Sequence, residues 1–558
     1  MVQDEKVAAD GADEQMLGAD EKLAERRDEV KFIKGDQQNG DAKIDIGNPN
    51  GKQAFTGMSK EELMKYANDP FWVRLRWIFF VCFWAIWVGM LVGAILIIVG
   101  APKCAAPQPL PWYKRGVHAK FGSLDDASPK DINVVEKLQA AGAIYELPAA
   151  LTYQVKERNV EAQIKELVDH YKNSDVRVIL DLTPNIMSKD SRLVKEALTD
   201  VTKRDAFVWV NGAGAAEPTN WLKVGGNRTA WEKVGDSYVL SQFDDGFYDL
   251  KMNNSLVRQE FGDVLQHLIG LGVHGFRLKN TKFFMLTPNL ADEDVSTFPK
   301  DLNSDVSSYG FYNHKRTAFQ EGLGDVLYDY LSIVKNASAD AFLSVAEDII
   351  RPSAYEISNA GPLGIDLPIY GRFVHTLSSP LPNENVQLSL NQTLEMGKGW
   401  LQWDFGVVEA KPKIHHSAIA LFMSLLPGVP VVPANSFMYN EVSAQTYTNI
   451  ELLRKSPSYM HGEIKMYSAD PLVAYSRQRI KSGNPGYFVL LNPTDQPVKG
   501  NFVDVHDLPD KMTVLHVSDD YLNNNATKVQ VKAKFGIAEL ELEPYSTVIL
   551  TYVPVKAE

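Results

Sequence analysis

Cysteine is almost missing from this chain: its 558 residues contain two, Cys82 and Cys104. A disulfide framework is thereby excluded, as is a zinc site built from several thiolates. No calcium-loop pattern is present, so no metal and no cofactor is expected. Long basic runs are also missing, and the formal charge is −13. A nucleic-acid surface needs clustered Lys and Arg, so nucleic acid is not an expected partner. Residues 1 to about 58 are short of aromatics and rich in Asp, Glu, Lys, Gly and Asn. Such a composition buries too little apolar surface to pay for ordering. Residues 1–74 therefore read as an acidic, mostly disordered tail. It ends in a short helix, signalled by the Ser59-Lys-Glu-Glu62 capping box and interrupted at Pro70.

One stretch lacks charge altogether. Trp77 to Val99 reads WIFFVCFWAIWVGMLVGAILIIV. A bilayer-crossing helix needs about 20 apolar residues. A core helix would carry an apolar stripe, whereas this run is apolar all round. A transmembrane helix is predicted over 75–99. It begins too far from the start for a signal peptide and has no small-residue cleavage pattern. Lys60, Lys65, Arg74 and Arg76 precede it, against Lys103, Lys114 and Arg115 after it, a slight bias to an inside N-terminus. The sequons at Asn227, Asn253, Asn336, Asn391 and Asn525 all follow the span, which places the larger part of the chain outside. Gly89 and Gly93 form a small-xxx-small pattern that allows close helix packing. Cys82 lies within the span. Cys104 lies just beyond it and has no partner in its own domain, so it is either an intermolecular disulfide or a free thiol.

Residues 100–111 are a Pro- and Ala-rich stalk. From Trp112 onward β-like runs alternate with amphipathic helical runs. Gly142–Leu147, Val176–Leu182, Val273–Leu278 and Phe342–Ala346 read as strands; Ile164–Tyr171 and Phe261–Leu271 read as helices. This alternation implies an α/β fold with parallel strands, and a (β/α)8 TIM barrel fits its length over 112–458. Residues 459–558 change character. Leu472–Ser476, Tyr487–Leu491, Val514–Val517, Val529–Val531 and Thr547–Tyr552 are short strands between turns, as in an antiparallel β-sandwich.

The run from Pro218 to Asp263 resembles the α-amylase clan, and within it the maltases. The strand Val178-Ile-Leu-Asp-Leu-Thr-Pro-Asn185, the strand Gly272-Val-His-Gly-Phe-Arg277 and Leu426-Pro-Gly-Val-Pro430 carry the same likeness. The resemblance covers Trp112 to the C-terminus. It implies a (β/α)8 barrel with an insertion at about 205–253, then a β-sandwich. It also implies positions for the chemistry. Retaining glycosidases use two carboxyl groups about 5 Å apart, one as nucleophile and one as acid. Active members carry Gly-Phe-Arg-x-Asp on the fourth strand, with that Asp as nucleophile. Here the motif is Gly275-Phe-Arg277-Leu-Lys279: Arg277 is kept and Lys279 stands in the nucleophile's place. An ammonium there opposes the positive charge of an oxocarbenium-like transition state. Asp181 and Asn185 match the third-strand motif, whose His is replaced by Ile186. Glu347 matches the fifth-strand acid. On the seventh strand Gln402-Trp-Asp404 keeps only the Asp. Catalytic function is not expected. The remnants Lys279, Glu347 and Asp404 should share the barrel mouth, with Lys279 paired to Glu347 or Asp404.

A barrel without its nucleophile, on a membrane stalk, resembles the heavy-chain subunits of heteromeric amino-acid transporters. The likeness is strongest at Trp72-Val-Arg-Leu-Arg-Trp77, Gly93-Ala-Ile-Leu-Ile-Ile-Val and Ala101-Pro-Lys-Cys104, and is nearer the cell-surface antigen type. The maltase-like insertion around Asn211 to Asn253 departs from that type. The resemblance implies a type II plasma-membrane glycoprotein. Cys104 would form a disulfide with a multi-spanning light chain, which performs transport, and Gly89 and Gly93 would pack against it. The alternative is a membrane-anchored α-glucosidase.

Overall fold

The structure is a computed structural model and describes residues 60–100, 109–212, 216–298, 304–378, 385–397, 399–407, 413–469, 471–480, 483–502, 508–519, 529–537 and 540–554. It divides into two units, 1–105 and 106–558.

In the first unit a helix over Lys60–Ala67 is followed by a 31-residue helix, Pro70–Gly100. Asp69 accepts the Phe71 backbone N–H through Oδ1 at 3.0 Å. Pro70 therefore ends one helix and opens the next, where its missing N–H costs nothing. At about 1.5 Å per residue the long helix exceeds the hydrocarbon thickness of about 30 Å. None of its residues is buried. Trp77, Phe80, Trp84 and Trp87 meet edge to face along one ridge, with centroids 5.7, 6.3 and 5.7 Å apart. That spacing follows from helical neighbours three and four apart.

In the second unit seven parallel strands form one sheet. Their spatial order is Phe342–Val345, Gly275–Leu278, Arg177–Leu182, Ala140–Glu146, Val117–Ser123, Gly428–Pro433 and Leu401–Asp404. Residues 366–369 close the ring between its two ends. Asp366 N–H donates to Leu343 O at 2.9 Å, and Gln402 N–H donates to Pro368 O at 2.9 Å. The result is the eight-position TIM barrel. Amphipathic helices wrap it: Arg158–Tyr171, for example, buries Val160, Ile164, Leu167 and Tyr171 along one stripe. Between the third and fourth barrel strands lie a ribbon, Ile186–Ser188 with Phe247–Asp249, and a three-stranded sheet, Trp209–Asn211, Ser237–Leu240 and Trp231–Val234.

The C-terminal region is a β-sandwich. Six antiparallel strands run in the order Glu463–Ala469, Leu472–Gln478, Gly486–Leu491, Thr547–Tyr552, Lys511–Val517 and Lys534–Gly536; Val498–Gly500 pairs with Leu540–Leu542 in the second layer. The large sheet is covered on both faces. Leu472, Ala474, Phe488, Leu490, Val548 and Leu550 face the sandwich core. The alternating residues Val473, Tyr475, Val489, Leu491 and Ile549 join the barrel core. Period-2 alternation thus cements the two layers, each fully buried Leu, Ile or Phe contributing about 1.5–3 kcal/mol. The expected strand over Val529–Val531 does not form. Lys532 takes a left-handed φ of 71°, and Ala533 N–H turns back to Gln530 O at 3.0 Å.

Candidate functional site

The C-terminal mouth of the barrel gathers the residues expected there, and strand register explains which of them meet. Glu146 lies opposite Asp181, and Asp181 opposite Arg277. Arg277 is fully buried, and its Nε stands 2.9 Å from Asp181 Oδ1. Its Nη2 donates to Asp181 Oδ2 at 3.4 Å and its Nη1 to Gln402 Oε1 at 3.3 Å. Burial pushes the Asp181 carboxyl up from its usual range, and the Arg277 and then the Lys120 charges oppose that rise. Gln402 lies on the seventh barrel strand. Its Nε2 donates to Ser344 Oγ and to Leu367 O, both at 2.7 Å, so it knits the fifth strand to the closing segment.

Lys279 emerges one step beyond this layer, its N–H held by Leu182 O at 2.8 Å. Its ammonium lies 2.6 Å from Glu146 Oε1, with the two side chains 37% and 45% exposed. The expected pairing with Glu347 or Asp404 is therefore incorrect. Glu347 instead accepts the Thr281 hydroxyl at 2.6 Å and the Lys282 N–H at 3.4 Å. Asp404 accepts Gly406 N–H at 2.8 Å and lies 3.8 Å from Lys120. The physical reason is proximity of strand ends. The second strand ends beside the third, whose other neighbour is the fourth, and its terminal carboxylate reaches across to Lys279. Exposed pairs of this kind contribute about 0–1 kcal/mol. Sequence reasoning missed Glu146, Lys120 and Thr281. The signal for Glu146 was its place at the end of the second strand, where a barrel fold puts it at the mouth.

As folded, the mouth is a set of mutually engaged charges. Double displacement needs an unencumbered carboxylate opposite a proton donor. The end of the fourth strand carries the Lys279 ammonium, and Glu347 beyond the fifth is engaged by the Thr281 hydroxyl. A cleft of about 1000 Å³ opens at the opposite end of the barrel, around Gly116, Ala140, Val176 and Gly272. These are strand N-terminal ends, the face associated with stability in this architecture.

Of the sequon asparagines, Asn227, Asn253 and Asn336 are exposed. Asn391 is half-buried within the helix Val386–Gly397 and takes a hydrogen bond from Gln387 Nε2 at 3.1 Å. Its partner Thr393 is fully buried, donating its hydroxyl to Ser389 O at 2.9 Å. This makes Asn391 the least accessible of the four. Cys104 and Asn525 lie outside the described residues. Space beside Gly89 and Gly93 is open.

Two family models match the chain. Residues 41–119 match the N-terminus of solute carrier family 3 member 2, and residues 155–352 match the α-amylase catalytic domain. The chain is thus similar to SLC3A2 at 41–119 and to the α-amylase catalytic domain over 155–352. Among similar curated proteins, the amino acid transporter heavy chain SLC3A2 of Oryctolagus cuniculus is 34% identical over 180 residues, covering 28% of this chain and 34% of that protein. Maltase A2 of Drosophila melanogaster is 29% identical over 223 residues, covering 37% of this chain and 38% of that one. The chain thus spans about a third of the length of these curated relatives. Among solved structures, trehalose-6-phosphate hydrolase of Bacillus licheniformis superposes with a TM-score of 0.59 at 16% identity, covering 79% of this chain and 99% of the hydrolase. That likeness establishes the glycosidase fold. The SLC3A2-type match contains the long apolar helix and reaches into the first barrel strand, and the amylase-type match contains Asp181, Arg277, Lys279 and Glu347.

Proposed function

We propose that this chain is the non-catalytic heavy chain of a heteromeric amino-acid transporter. It is a single-pass type II plasma-membrane glycoprotein in this reading. Its Cys104 forms a disulfide with a multi-spanning light chain, and the Gly89–Gly93 face packs against that subunit in the membrane. The heavy chain stabilises the light chain and carries it to the cell surface. The observation that carries the reading is the SLC3A2-type match over residues 41–119, which takes in both the apolar helix and Cys104. The Lys279–Glu146 pair supports the non-catalytic part, because a cation engaged by Glu146 stands where a retaining enzyme needs its carboxylate.

Non-reducing electrophoresis of the native membrane protein should give a higher-mass band that collapses to the single chain on reduction. Cys104→Ser should abolish that band; persistence of the band in the variant would refute the disulfide. The purified full chain should release no glucose from maltose or sucrose. Hydrolysis above that of a Glu347→Gln control would favour the maltase-like alternative.

A further inference from the structure

The insertion after the third strand is fastened to the long loop that follows the fourth by a reciprocal clamp. Asn220 Nδ2 donates to Glu293 O at 2.9 Å, and Glu293 N–H donates to Asn220 Oδ1 at 2.7 Å. Trp221 Nε1 donates to Ala291 O at 2.9 Å and Asn220 N–H to Asp292 Oδ1 at 2.9 Å. Beneath this clamp lies a cavity of about 10 Å³, lined by Asn220, Trp221, Leu222, Glu293, Tyr312, His314 and Thr317. That is roughly the volume needed for one water-sized occupant.

Glu293 is 5% exposed. Its Oε1 takes three hydrogen bonds, from Arg316 N–H at 2.9 Å, Thr317 N–H at 2.9 Å and Thr317 Oγ1 at 3.0 Å. Its Oε2 is buried with no hydrogen-bond partner. A buried charge without a counter-charge is costly. The nearby basic groups do not supply one. Arg316 turns its guanidinium to Asp294 at 4.0 Å. His314 stacks on Tyr309 with centroids 3.7 Å apart, and burial pushes its pKa down, which keeps it neutral. Asp292 and Asp294 flank Glu293 and add negative charge.

We propose that this cavity binds one monovalent cation of sodium type, held by Glu293 Oε2 and neutral oxygens. One carboxylate balances one positive charge. A divalent ion would be left half-compensated, and calcium takes 6–8 oxygen ligands, usually with several carboxylates. Among the described residues no group of three or more His, Cys, Asp or Glu is arranged for a metal. The ion would lock the insertion onto the loop that overhangs the barrel mouth.

The test is thermal unfolding of the full chain in detergent, in sodium chloride and in choline chloride of equal ionic strength. The wild-type midpoint should be higher in sodium by a few degrees, since an ion that binds only the folded state stabilises it by mass action. Glu293→Gln keeps the acceptor for the three donors and removes the charge, so its midpoint should not respond to sodium. Equal wild-type midpoints in the two salts, the result for a water molecule in the cavity, would overturn the proposal. So would a sodium response that survives in Glu293→Gln, or a shift seen with calcium and not with sodium. If the variant fails to fold, the two-salt comparison on the wild type decides alone.

Discussion

Arg277→Ala should destabilise the barrel by about 3–5 kcal/mol, the cost of stranding one partner of a buried ion pair. Arg277 is wholly enclosed and the Asp181 side chain is 4% exposed, so neither charge can turn to water when the other is removed. The truncation leaves Asp181 buried beside Glu146, and it deprives Gln402 Oε1 of its donor. The second half of the experiment separates packing from charge. Arg277→Met with Asp181→Leu removes both charges and keeps comparable volume, so it should recover most of the loss. Urea midpoints of the full chain give both values. A single variant within about 1 kcal/mol of wild type would mean that the pair is not the strut its burial implies, since changes of that size are the ordinary run of substitutions. Recovery in the double variant would have a functional meaning too. If the barrel performs no hydrolysis, Arg277 and Asp181 need only fill space without residual charge.

How far the sequence revealed this arrangement depends on how local each signal is. The apolar helix was legible because charge is missing from one continuous run, although helix geometry extends it to Pro70–Gly100. The barrel was legible because each strand–helix pair carries its own periodicities. The sixth barrel position was not. Residues 366–369 contain Pro368, make few ladder bonds and acquire their place only from strands on either side. Val529–Val531 failed for the opposite reason: its alternation reads as a strand, but Lys532 turns the chain. At the mouth, the place of Lys279 at the end of the fourth strand could be read from Gly275-Phe-Arg-Leu-Lys279. Its partner could not, because Glu146 is 133 residues away and meets Lys279 only through the register of three neighbouring strands.

His118 should make the fold acid-sensitive in a way that one substitution can remove. It sits on the first barrel strand, fully buried, stacked on Phe342 with centroids 6.1 Å apart and 5.9 Å from the Trp112 ring. Gly142 leaves it room: a Cβ there would come within 2.9 Å of the imidazole. Neither ring nitrogen has a hydrogen-bond partner. Burial, followed by the charges of Arg277 and Arg454, pulls its pKa down to about 3. The unfolded value is about 6.5, so between those limits the unfolded chain binds the extra proton. Stability is complete above the unfolded value and falls with pH by about 1.4 kcal/mol per unit until the folded value is reached. At about pH 4.5 the loss assigned to His118 is roughly 2–3 kcal/mol. His118→Phe keeps a ring against Phe342 and cannot titrate. Carboxylates and the other histidines, including His274 with its own lowered pKa, act alike in both proteins and cancel in the difference. Urea midpoints at neutral pH and at about pH 4.5 should therefore show the variant losing about 2–3 kcal/mol less than wild type. Parallel losses in the two proteins would mean that His118 reaches water or an acceptor when it protonates, contrary to the sealed environment between Phe342 and Trp112.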